Sequence, residues 1–74
     1  MGPRRFQLVR DTDVTGVSGT GVVAEGCEFS TGWVGLTWLT AVNSLVFYPA
    51  IENVAHIHGH GGSTRIVWLD SEVK

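Results

Sequence analysis

Three histidines at alternate positions, His56, His58 and His60, followed by Gly61 and Gly62, make the one cluster in this chain whose residue types and spacing could do metal chemistry. On a strand alternate residues share a face, and on a helix His56 and His60 share one, so two backbone geometries would bring imidazoles to a divalent cation. Three imidazoles and an open fourth position would also suit a hydrolytic zinc. Glu52 is the only nearby carboxylate to serve as a base, and Gly59, Gly61 and Gly62 loosen the ligand geometry. The plainer expectation is a glycine-rich turn whose histidines hydrogen-bond the backbone. His56, His58 and His60 stand as the candidate metal ligands, and no resident cofactor is expected.

Two other constellations have residue types that bear on chemistry. Gly16-Val17-Ser18-Gly19-Thr20-Gly21 has the glycine density of a phosphate loop, but it has neither a Walker lysine nor a following helix, and its spacing departs from the dinucleotide fingerprint. These glycines fit a bent strand and tight turns better. Ser18 would need a histidine and a carboxylate beside it to act as a nucleophile, and nothing in the sequence places His56, His58, His60 or Asp70 there. The expectation is a protein that is not an enzyme.

The aromatics point to contact. Residues 29–50 contain no charged side chain and include Trp33, Trp38, Leu39, Val42, Leu45, Phe47 and Tyr48. A chain of 74 residues cannot easily hide so much apolar surface in one core, so part of it is expected to face a partner. Tryptophan and tyrosine are frequent interface anchors, and Trp33, Leu39, Val42 and Tyr48 are the candidate contact residues. Stacking on nucleic-acid bases is disfavoured because Arg65 is the only lysine or arginine between Arg10 and Lys74, and the net charge is −2.

The remaining composition sets limits. Residues 1–74 make a single small domain, near the size at which oligomerisation or a metal often supplements the core. A hydrophobic fraction of 43% and a charged fraction of 16% describe a folding chain poor in charge, which argues against disorder and for self-association. Cys27 is the one cysteine, so no internal disulfide framework exists, and its surroundings favour a buried structural thiol. A reducing, cytoplasmic location is expected, without a signal peptide. Gly35, Thr37, Thr40, Asn43, Ser44 and Pro49 interrupt the apolar run, which argues against a membrane span.

Strands must position these residues. Phe6-Gln7-Leu8-Val9 alternates before the polar Asp11-Thr12-Asp13, predicting a first strand over 4–10. Residues 21–40 predict a hairpin turning at Ser30-Thr31-Gly32, with Gly26 as a bulge or bend. In its second arm Val34, Leu36 and Trp38 share the core face, leaving Trp33 exposed. Residues 45–48 form a short strand ended by Pro49. Ile51, Val54 and Ile57 then recur at helical spacing up to Gly59, predicting a helical turn, although 56–58 would also suit an extended path. The last strand, 64–69, is apolar on both faces and predicts a central or interface position.

Five short strands and one helical turn predict a mainly β fold, a small SH3-like or Sm-like barrel, strongly bent and nearly closed. The alternative is a small α+β unit with a longer helix over 49–58. The stretches Arg5-Phe6-Gln7-Leu8-Val9-Arg10-Asp11, Ser18-Gly19-Thr20-Gly21-Val22-Val23-Ala24-Glu25-Gly26 and Ile57-His58-Gly59-His60-Gly61-Gly62-Ser63-Thr64-Arg65-Ile66-Val67-Trp68-Leu69-Asp70 resemble short proteins of actinobacteria and their phages, of small β-barrel type. The resemblance covers roughly half the chain and transfers no catalytic residue. The expected function is a non-enzymatic protein-interaction module, a phage accessory protein that forms a homo-oligomer or binds a host protein. The alternative is an oligomer binding a small nucleotide-like ligand or a metal.

Overall fold

A computed structural model describes residues 2–11, 20–39, 42–59 and 63–71. Five strands, β1 (Arg4–Arg10), β2 (Gly21–Glu28), β3 (Val34–Trp38), β4 (Leu45–Tyr48) and β5 (Thr64–Trp68), and one helix, α1 (Ile51–His58), follow in the order β1, β2, β3, β4, α1, β5. The strands form one antiparallel sheet in the spatial order β4-β3-β2-β1-β5. The mainly β expectation with five strands and one short helix holds, but the barrel is not closed. Among the described residues β4 and β5 are the two free edges, and α1 joins them across one face.

That face holds the core. β1 contributes Phe6, Leu8 and Arg10, and the registers Phe6↔Gly26, Leu8↔Ala24, Phe6↔Trp68, Leu8↔Ile66 and Gly26↔Leu36 carry the same face across the sheet. Phe6, Leu8, Val23, Ala24, Val34, Leu36 and Val54 are buried together, with Trp38, Tyr48, Ile51, Ile66 and Trp68 packed around them. Complete burial of a side chain such as Phe6 is worth about 2–3 kcal/mol. Period-two alternation in β1 and β3 therefore met a helix that supplies the missing cover, through Ile51 and Val54. Ile57, expected on that apolar stripe, is exposed. In its place the last turn directs His58 at β3 and β4.

The β2–β3 hairpin turns as its residues demand. Gly32 N–H donates to Phe29 O at 2.9 Å, Phe29 N–H donates to Trp33 O at 2.8 Å, and Gly32 has φ +97°. A three-residue loop closed by a left-handed residue needs glycine at that place.

Two local expectations are corrected. The irregularity in β2 lies at Val23, where the pairing steps from Leu8↔Ala24 to Val9↔Val22, and not at Gly26, which pairs in register with Phe6 and Leu36. Gly26 is glycine for a different reason: a Cβ there would stand 2.3 Å from Cζ of the buried Phe6 ring. β5 is an edge strand rather than a central one, its second apolar face being half-open to solvent.

Candidate functional site

The sheet has a second, outer face that no element covers among the described residues. By alternation it carries Arg5 from β1, Glu25 and Cys27 from β2, Gly35 and Thr37 from β3, Leu45 and Phe47 from β4, and Arg65 from β5. Gly35 organises its centre. A Cβ at Gly35 would lie 3.3 Å from Cε1 of Phe47 and 3.8 Å from Cε2 of Phe29, so the two rings flank a bare stretch of β3 backbone. An open groove of about 520 Å³ results, lined by Cys27, Phe29, Gly35, Thr37, Leu45 and Phe47, with Arg5 and Glu25 completing the wall.

Charge and apolarity are segregated on this face. On the β1–β5 side, Arg5 Nε and Nη2 donate to the two carboxylate oxygens of Asp70 at 3.0 and 2.9 Å, while Arg5 N–H donates to Oδ2 at 2.8 Å. These bonds hold the Asp70 carboxyl down at about 2, below the ordinary aspartate value of 3.8, the side-chain bond from Arg5 being the largest cause. Arg65 forms a second pair, with Asp11, at 2.9 and 3.3 Å. On the β3–β4 side there is no charged residue, and Phe29, Trp33, Leu45 and Phe47 are 44%, 51%, 63% and 58% exposed. Isolated exposed apolar residues are ordinary, whereas a contiguous group beside a groove is the usual form of a contact surface.

The predicted contact residues divide. Trp33 is exposed at the hairpin end beside Phe29, and Leu39 and Val42 are exposed beyond β3. Tyr48 lies elsewhere: it is half-buried on the helix-covered face, its hydroxyl 2.8 Å from His58 Nε2. The parity of β4 explains this, because Tyr48 is opposite Val34 in the core register. Phe29, Leu45 and Phe47 belong to the apolar run but are not among the four contact residues expected from it. The signal was present, since residues at odd positions of β3 and β4 must share the face opposite to Val34 and Leu36.

The two described histidines, His56 and His58, do not converge. His56 is exposed on α1, and His58 is edge-to-face with Trp38 at 4.9 Å and with Tyr48 at 5.8 Å. His60 lies outside the described residues, as do residues 12–19 with Ser18. Among the described residues no group of three or more His, Cys, Asp or Glu side chains is gathered as a metal site. Cys27 is half-buried and faces the groove rather than the core. No described helix is long and apolar enough to cross a membrane.

A five-stranded antiparallel sheet, covered on one face by a two-turn helix and, among the described residues, apolar over half of the other, defines a small β-rich protein. The chain belongs to the Acb5 phage protein family, whose model matches residues 3–70. No curated protein and no solved structure matches it.

Proposed function

We propose that this phage protein is a non-enzymatic binding module, an accessory protein that acts by protein contact through the apolar half of its outer sheet face. The observation that carries the reading is the segregation itself: Arg5 and Arg65 are neutralised by Asp70 and Asp11 on one side, while Phe29, Trp33, Leu45 and Phe47 remain open on the other. Aromatic side chains bring large contact area at low entropic cost and recur where partners bind most strongly. Replacing Trp33 by Ala together with Phe47 by Ser tests this, with self-assembly followed by native mass spectrometry and host-protein binding by pull-down on the tagged chain. Both readouts unchanged in the variant would sink the proposal.

A second reading, a small nucleotide-like ligand, is favoured by one observation. The groove volume lies within the range of about 300–1,000 Å³ typical of small-molecule sites, and Phe29 and Phe47 offer ring faces beside it. It ranks second because Arg5, the cation of the wall, is already bonded to Asp70. Thermal-shift screening against nucleotides and divalent metals tests it, and an unmoved midpoint throughout would dispose of it.

A further inference from the structure

The two edges of the sheet are built differently, and the difference identifies an occupant for one of them. Trp38 N–H donates to Ser44 O at 3.2 Å, and the β3–β4 register places Thr37 opposite Leu45 and Gly35 opposite Phe47. In an antiparallel ladder hydrogen-bonded and non-hydrogen-bonded pairs alternate, so Val46 and Tyr48 bond to β3 while the N–H and C=O of Leu45 and Phe47 point out of the sheet at its free edge. The same two residues carry the exposed side chains of β4. This edge has no lysine, bulge or strand-interior proline, three of the devices by which sheets guard themselves, and its one guard is a length of four residues.

The β5 edge is guarded. Leu69 N–H bonds to Arg5 O and Asp11 N–H to Ser63 O, so the backbone N–H and C=O of Thr64, Ile66 and Trp68 point out of the sheet there while the Ile66 and Trp68 side chains pack on the core. Thr64 N–H is taken by Gly59 O at 3.1 Å, and the Arg65–Asp11 and Arg5–Asp70 ion pairs flank the strand.

We infer that the β4 edge pairs with the β4 edge of a second copy, antiparallel, about a two-fold axis at Val46. This rests on the contact reading above and specifies the partner. The register follows from the outward-pointing groups: Leu45 of each copy exchanges both backbone bonds with Phe47 of the other, and Val46 faces its own counterpart. Self-pairing of this strand brings no like charges together, because residues 29–50 hold none. On the outer face Leu45 stands directly opposite the other copy's Phe47, an aliphatic–aromatic cross-strand pair. The exposed surface on and beside this edge, from Val42, Leu45 and Phe47, is on the order of 400 Å² per copy, so two copies offer roughly 800 Å², the size of a weak, reversible association.

Sedimentation velocity on the full chain, across a hundredfold concentration range, tests the pairing with three variants. Leu45→Pro removes an N–H that faces the free edge and leaves the β3 ladder intact, a placement proline tolerates at the first residue of an edge strand. The double substitution Leu45→Lys, Phe47→Lys keeps the backbone but sets like charges opposite each other across the two-fold. Trp33→Ala alters the outer face without touching the edge. The expected result is a wild-type dimer, at least a tenfold weaker association in both edge variants with circular dichroism unchanged, and a retained dimer in Trp33→Ala. A wild-type monomer at every concentration overturns the pairing while leaving contact with another protein standing. A dimer that survives both edge variants but is lost in Trp33→Ala overturns the edge geometry and keeps the outer face as the contact surface.

Discussion

Phe47 lies over the bare backbone of Gly35, with its Cε1 3.3 Å from where a Cβ would stand. Gly26, one position away across the β2–β3 ladder, is bare toward the other face, where the Phe6 ring would meet a Cβ at 2.3 Å. The two glycines therefore look alike in sequence and face opposite layers. Gly35 opens the groove, and Gly26 makes room for the core.

Alanine separates them. Phe47 is half-exposed and can swing by a few tenths of an ångström, so Gly35→Ala is expected to change stability by no more than about 0.5 kcal/mol, crowding being offset by the lower entropy of the unfolded chain. Phe6 is fixed in the core, so Gly26→Ala is expected to cost about 1–3 kcal/mol. Urea unfolding of the two variants checks this. Equal midpoints would contradict the assignment of the two faces.

Tyr48 joins β4 to the last turn of α1 through its 2.8 Å contact with His58. Tyr48→Phe removes that hydrogen bond while leaving the ring, and the expected loss is about 1 kcal/mol in unfolding free energy. Because Tyr48 faces the helix, the same variant should leave association unchanged. A Tyr48→Phe protein with full stability but impaired association would move this residue to the contact surface.

Acid should weaken the Arg5–Asp70 pair. The Asp70 carboxyl is held at about 2 in the folded chain, below its ordinary 3.8, so its contribution is complete above 3.8 and is lost as pH falls toward 2. Arg5 is exposed and Asp70 partly so, and the effect is correspondingly small. Melting temperatures of wild type and Asp70→Asn, compared between pH 5 and pH 2, should converge across that window. Curves that run parallel would show that the pair contributes nothing.

Much of the architecture was legible because alternation and turn chemistry act locally. Arg4–Arg10 and the Ser30-Thr31-Gly32 turn followed from period-two burial and from the one glycine that the loop requires. The edge position of β5 was not legible, because apolar residues on both faces fit either a buried central strand or an edge half-covered by α1. The bulge was misplaced because a glycine in a strand can mark a bend or a close approach, and only the position of the Phe6 ring decides. Trp33 was recognised as exposed, whereas Tyr48 was assigned to the contact surface by residue type. Its strand parity, fixed by the pairing with Val34, sends it inward.

The segregated outer face and the β4 edge support one proposal, that two copies of this chain pair through Leu45 and Phe47. Amide hydrogen exchange at these two residues, measured against protein concentration, tests it most directly. Protection that rises at high concentration and disappears on dilution is the predicted result. Fast exchange at both residues at every concentration would contradict it.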